Sequence, residues 1–173
     1  MYYHVVQPHF TFDFPIEEIP ENIFISEVIS KAQEDRKFSF VLRSAVISKD
    51  AFSNQYHVFL IPDEGFSSLI KLYEIFYSDT FKENQRFDID FIPHLGIENS
   101  TDKDSVKTWV DEWNSKDFSF KGQISALTIV HYEDGKVENI LDILLNEGWE
   151  LHLNCIGLVN NELGRFKGEN SGL

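Results

Sequence analysis

Residues 7–14, QPHFTFDF, and residues 92–99, IPHLGIEN, share one pattern: Pro-His, then an apolar residue, then a small residue. The small residue is Thr11 in the first segment and Gly96 in the second. A single Pro-His dipeptide carries little information. Two of them at matched places in one chain indicate a repeated unit.

Each Pro-His segment is followed by a stretch with helical periodicity and then by the tripeptide Phe-Ser-Phe, at residues 38–40 and 118–120. The same order of fragments in both halves is typical of an internal duplication whose loops have diverged. We therefore expect two units of similar topology within this chain.

The spacing of apolar residues predicts strands that alternate with helices. Strands are predicted at residues 3–14, 37–48, 56–62, 87–98, 117–133 and 136–145, and helices at residues 19–35, 66–77 and 100–115. A capping box of Thr101 and Asp104 is expected to start the third helix. The dipeptide Asp134-Gly135 is expected to form the turn between the last two strands.

This order of elements predicts an α+β fold made of two pseudo-symmetric lobes around a central cleft. Each lobe would have a small antiparallel sheet with outer helices, and Trp109 and Trp113 would be buried against the second sheet. Residues 1–155 would form this single bilobed domain. Residues 156–173, rich in Gly and Asn, would form a partly mobile tail.

Composition narrows the class of partner. The chain has 173 residues, of which 42% are hydrophobic, so it has enough apolar material for a substantial core. Its net charge of −14 disfavours long nucleic acids, whose binding relies on Lys and Arg. A small anion can still bind where local donors outweigh the general repulsion.

The sequence also predicts the compartment. It has no run of apolar residues long enough to span a membrane, and its first residues lack the pattern of a signal peptide. Cys155 is the only cysteine, which suits a reducing environment. We expect a cytoplasmic protein with no membrane partner, and the sequence leaves its oligomeric state open.

The two histidines define the candidate chemistry. Residues i and i+2 of a strand share a face, so His9 is expected beside Thr11 and His94 beside Gly96. Facing lobes would place the two imidazoles on opposite sides of one groove. There, one neutral imidazole accepts a proton from water while the other donates a proton to a leaving oxygen. This chemistry requires no metal or other cofactor, and the sequence has no metal-binding motif.

With these motifs, the chain resembles the two-histidine (2H) phosphoesterase superfamily, also called 2′-5′ RNA ligase-like. The resemblance covers about residues 3–145 and includes PHFT, YHVFLIPDEG, FIPHLGI and FKGQISALTIV. It implies a bilobed fold and a metal-independent phosphodiesterase, acting on a small nucleotide or oligonucleotide with a 2′,3′-cyclic or 2′-5′ phosphate. His9 and His94 would be the catalytic pair, and Thr11 and the position of Gly96 would contact the phosphate.

The chain departs from the pattern of this superfamily at two places. Gly96 stands where Thr or Ser is usual, and removing one such donor typically lowers the rate by about 10²- to 10³-fold. Glu98 and Asn99 follow the second motif, where members often have a basic residue. The alternative to an active enzyme is therefore a nucleotide- or anion-binding module of the same fold with little turnover.

Other polar and aromatic residues receive less specific interpretations. The remaining histidines are expected to be structural or exposed: His4, His57, His131 and His152. Four carboxylates share the strand parity of the catalytic pair and would either face solvent or orient an imidazole: Asp13, Asp88, Asp90 and Glu98. Phe38, Phe40, Phe118 and Phe120 are expected as strand residues divided between the core and the groove, and a pair that lines the groove could stack on a nucleobase.

Overall fold

The computed structural model describes residues 8–13, 15–133 and 136–147. Several sequence predictions lie outside these residues: the first part of the strand at residues 3–14, the turn at Asp134-Gly135, the tail at residues 156–173, Cys155, His4 and His152.

The larger sheet is antiparallel, curled and four-stranded. Its strands are β1 (Phe38–Lys49), β2 (Tyr56–Glu64), β3 (Leu95–Ser100) and β4 (Phe120–Ile124), in the spatial order β3-β2-β1-β4. The pairing of β1 with β2 shifts register between Leu42 and Ser44. An irregularity of this kind bends a strand and increases its twist.

A second sheet has two strands, β5 (Ala126–Glu133) and β6 (Lys136–Leu144), which pair in antiparallel fashion. The helices are α1 (Glu21–Glu34), α2 (Phe66–Phe76) and α3 (Lys103–Asn114), with a short 3-10 helix at Asp79–Asn84. Gly65 precedes α2 at φ +83°, and a Cβ there would lie 2.5 Å from the Ser39 carbonyl oxygen. Only glycine fits this position without strain.

One apolar cluster lies between α3 and the larger sheet. Val106 and Val110 of α3 pack with Ala45, Val58 and Leu60, which are almost fully buried. At the end of α3, the Asn114 side chain accepts a hydrogen bond from the Ala45 amide at 2.8 Å and donates one to the Ala45 carbonyl at 2.9 Å. The Asn114 side chain therefore satisfies the backbone amide and carbonyl of Ala45, at a part of β1 that β4 does not reach.

A second apolar cluster joins α1, α2 and the 3-10 helix to the β5–β6 hairpin. It is formed by Val28, Phe76, Tyr77, Phe81 and Ile129. The buried amine of Lys31 on α1 donates to the Ser78 hydroxyl at 2.8 Å and lies 3.2 Å from Glu27. These bonds compensate for the removal of the lysine charge from water.

The structure confirms the mixed α+β class, the three helices, and the strands β1 and β2. The arrangement in two pseudo-symmetric lobes stays a prediction. Trp109 and Trp113 are half-buried against the cluster beneath the larger sheet, which combines β1 and β2 of the first half with β3 and β4 of the second. The sheet that covers them is therefore shared between the two halves and does not belong to the second half alone.

Other boundaries also differ from the sequence predictions. The side chain of Asp102 caps α3 by accepting a hydrogen bond from the Asp104 amide. The prediction of a capping box formed by Thr101 and Asp104 is therefore wrong. Residues 8–13 have no regular strand, and of residues 87–98 only the last four belong to β3. Within residues 117–133, β4 and β5 belong to different sheets. Among the described residues, no helix combines the length and apolarity needed to cross a membrane.

Candidate active site

His94 immediately precedes β3 and is held in one tautomer. Its Nδ1 lies 2.5 Å from the Ile92 carbonyl oxygen. A carbonyl oxygen accepts and does not donate, so the Nδ1–H of His94 is the donor in this bond. In the neutral ring, Nε2 then carries the lone pair and is the atom able to accept a proton.

The plane of the His94 ring is fixed by Phe59. The two ring centroids are 3.5 Å apart, and the planes differ by 17°. Pairing of β2 with β3 places Phe59 opposite Gly96, two residues after His94, so the contact follows from the register of the sheet.

Burial lowers the pKa of His94, because the imidazolium loses hydration there. The hydrogen bond to Ile92 opposes this shift, whereas the positive charges of His57 and His9 add to it. His94 is therefore a neutral base at pH 7.

His9 and Thr11 lie on the exposed side of an extended segment. Phe10, between them, is buried and meets Phe40 edge-on at 5.1 Å, and Phe12 is half-buried. The alternation of exposure places His9 and Thr11 on one side, as their spacing predicts, although no strand is formed.

The same segment is tied to the end of α2. The Tyr77 hydroxyl donates a hydrogen bond to the Asp13 carboxylate. Burial of Tyr77 and this bond both raise the pKa of the phenol well above its ordinary value. Asp13 is thus held by a phenol and is not simply a solvated carboxylate.

Gly96 is exposed, and neither its backbone nor its neighbours require glycine. Its φ lies outside the left-handed region, and an added Cβ would meet Phe59 only at 3.9 Å, an ordinary van der Waals distance. A side chain with a hydroxyl therefore fits this position.

His57 is the residue that sequence reasoning missed. It stacks on Phe59 with centroids 5.5 Å apart, and its Nε2 lies 3.2 Å from the Asp50 carboxylate. The signal was present in the sequence: His57 and Phe59 share a face of β2 by their i, i+2 spacing.

The other carboxylates take varied roles. Asp88 accepts two hydrogen bonds from Arg86, at 2.7 and 2.6 Å, while Asp90 and Glu98 are exposed. Phe38, Phe40 and Phe118 pack against the cluster under the larger sheet, whereas Phe120 is 47% exposed.

A depression of about 270 Å³ lies next to the His9 segment, but none of the four predicted site residues lines it. Asp13, Glu18 and Glu83 contribute three carboxylates to its wall, against one guanidinium from Arg86. That charge balance disfavours a phosphate there.

Within residues 8–13, 15–133 and 136–147, no three His, Cys, Asp or Glu side chains are grouped so that they could hold a metal ion. No family model matches the chain, and no curated protein sequence matches it.

Proposed function

We propose that this protein is a metal-independent phosphodiesterase of the two-histidine type. Its substrate would be a small nucleotide or short oligonucleotide with a 2′,3′-cyclic or 2′-5′ phosphodiester. The observation that supports the proposal is the geometry of His94, an imidazole whose Nδ1–H is bound by the Ile92 carbonyl and whose Nε2 can accept a proton, together with His9 on the matching Pro-His segment. Such a pair supplies both partners of a proton-transfer reaction.

The environments of the two histidines assign their roles. His94, with its lowered pKa, is the base, and its Nε2 takes a proton from water as the water oxygen bonds to phosphorus. The P–O2′ or P–O3′ bond breaks, and the leaving oxygen takes a proton from His9. Thr11, exposed on the same side as His9, donates to a non-bridging oxygen.

The fold proposed for this function is bilobed, with His9 and His94 on opposite sides of a cleft. Two sheets with separate apolar clusters support a division into two lobes, but Phe10 and Leu95, the neighbours of the two histidines, both pack in the cluster of the larger sheet. The net charge of −14 favours a substrate with few phosphates.

The direct test measures turnover of 2′,3′-cyclic nucleotides and 2′-5′-linked dinucleotides in excess chelator. We expect His9→Ala and His94→Ala each to lower kcat by about 10²- to 10⁴-fold. His131→Ala removes an exposed imidazole of β5 and serves as the matched control, with wild-type turnover. Equal turnover in all four proteins contradicts the proposal.

A second candidate, a nucleotide- or anion-binding module, is favoured by the missing hydroxyl at Gly96. Because a side chain fits there, Gly96→Thr separates the two functions. For a weak enzyme we expect kcat to rise, by up to about 10²-fold. Gly96→Ala adds the Cβ without the hydroxyl and controls for packing.

The binding module predicts a different pattern of results. Neither the wild type nor Gly96→Thr would turn over substrate, while calorimetry would detect nucleotide binding that His9→Ala and His94→Ala weaken. A fall in kcat in Gly96→Thr alone, with Gly96→Ala active, would indicate instead that the backbone near Gly96 contacts the phosphate.

A further inference from the structure

Two imidazoles stack on one phenyl ring at the surface of β2. Phe59 lies 3.5 Å from His94 and 5.5 Å from His57, measured between centroids, with interplanar angles of 17° and 25°. Val58 and Leu60, which alternate with these residues, are buried beneath α3. The rings therefore occupy the face of β2 that α3 does not cover.

Asp50 holds His57, which lies at one end of the row of three stacked rings formed by His57, Phe59 and His94. Its Oδ1 accepts hydrogen bonds from the amides of Phe52 and Ser53, at 2.8 and 2.6 Å, and its Oδ2 lies 3.2 Å from Nε2 of His57. Burial opposes ionisation of Asp50, but these bonds outweigh it, and the pKa of Asp50 falls below its usual value. A carboxylate held in this way orients an imidazole.

Few other charges face the two imidazoles. The neighbours of His57 across the sheet, Ser48 on β1 and Asn99 on β3, are uncharged. The nearest charged residues on those strands are Lys49, opposite Tyr56, and Glu98, opposite Val58.

On the other face of β2, the helices α2 and α3 contribute the apolar side chains of Leu69, Val106 and Val110 to the shared cluster. The guanidinium of Arg86 lies 5.7 Å from the ring of Phe52, whose amide donates to Asp50. The charges of His57 and His9 both lower the pKa of His94.

We propose that His57 is a positioning residue for His94, and that Asp50, His57 and Phe59 together hold the His94 imidazole in its neutral, base-competent form. Asp50 fixes His57, both imidazoles stack on Phe59, and the positive charge of protonated His57 disfavours a second proton on His94. The third imidazole would thus extend the pH range in which His94 remains a base. This inference deepens the proposed phosphodiesterase function and rests on it where turnover is concerned.

The test follows the His94 ring resonances by NMR as a function of pH, beside the pH profile of kcat/KM. In His57→Gln, which removes the charge, we expect His94 to take up its proton at a pH higher by roughly 0.3 to 1 unit. The acid limb of kcat/KM should move by the same amount. His131→Gln removes the imidazole that lies 3.6 Å from Glu133 on β5, and this control should leave both measurements unchanged.

Two further variants keep the test decisive if His57→Gln folds poorly. Asp50→Asn retains an acceptor for the Phe52 and Ser53 amides but lacks the carboxylate charge, so we expect a smaller shift in the same direction. Phe59→Leu removes the stacking surface, and ¹⁵N spectra should then show less of the Nδ1–H tautomer of His94.

The two proposals fail in different ways. A His94 titration that is the same in wild type, His57→Gln and Asp50→Asn overturns the positioning role, even if turnover depends on His9 and His94. A shifted titration in a protein that hydrolyses no phosphodiester supports the positioning role and overturns the enzyme proposal alone.

Discussion

The two Pro-His segments are similar in sequence and differ in how the fold holds them. His94 is fixed directly, by the Ile92 carbonyl at one ring atom and by Phe59 against its face. His9 is exposed, and contacts at Phe10 and Asp13 help to hold its segment.

The comparison teaches that one sequence pattern can serve two chemical roles. A rigid, partly dehydrated imidazole has a lowered pKa and suits a base. An exposed imidazole on a tethered segment can be reached by a leaving group of the substrate. The asymmetry of the surroundings therefore separates the two proposed roles, which the sequence left equivalent.

The largest expected effect comes from detaching the His9 segment from the core. Phe10→Ala removes a ring that is only 8% exposed, and we expect a loss of about 3 to 5 kcal/mol in the free energy of unfolding. Urea denaturation measures it. Phe87→Ala, at a ring that is 84% exposed, is the control and should change stability by less than about 0.5 kcal/mol. Equal costs for the two variants would show that Phe10 does not anchor the segment.

A smaller effect is expected at the other anchor of that segment. Tyr77→Phe leaves the partly buried Asp13 without its phenolic donor, and we expect a loss of about 1 to 3 kcal/mol. Tyr73→Phe, one turn earlier in α2, is a matched control, because it keeps the ring that stacks on Phe91 at 3.8 Å. Comparable urea midpoints for wild type and Tyr77→Phe would contradict the tether.

The smallest effect is the pH dependence of stability that His94 contributes. Its folded-state pKa is below the ordinary value of 6.5, so the unfolded chain binds more protons as the pH falls below about 6.5. Stability due to neutral His94 is therefore complete above that pH and is lost as the pH falls through the folded-state pKa. Between pH 7.5 and 5.5, the urea midpoint of wild type should fall more than that of His94→Gln.

His131→Gln retains His94 and serves as the control for this measurement. It should keep the acid sensitivity that His94 confers. If His94→Gln and wild type lose stability equally over this range, His94 is not held in its neutral form by the fold.

Local sequence patterns were sufficient to predict most helices and strands, but they did not predict how the strands pair. Apolar periodicity predicted α1, α2 and α3 because a helix is defined by contacts three and four residues apart. It read residues 117–133 as one strand because both β4 and β5 are extended. Their separation into two sheets depends on partners distant in sequence, Val41 for Lys121 and Asp142 for Thr128.

The candidate site shows the same limit. The i, i+2 spacing anticipated that His9 and Thr11 share an exposed side. It did not identify His57, because the importance of His57 comes from Asp50 across a turn and from Phe59, whose ring also contacts a histidine on the next strand.

By itself, the sequence determined the mixed class of the fold, the helices and the pair of Pro-His segments, since these follow from residue type and local spacing. Only the tertiary structure decided which sheet each strand joins, which nitrogen of His94 carries the proton, and which third imidazole acts on it. Each of these depends on atoms brought together from distant parts of the chain, where burial and charge change the free energy of a proton.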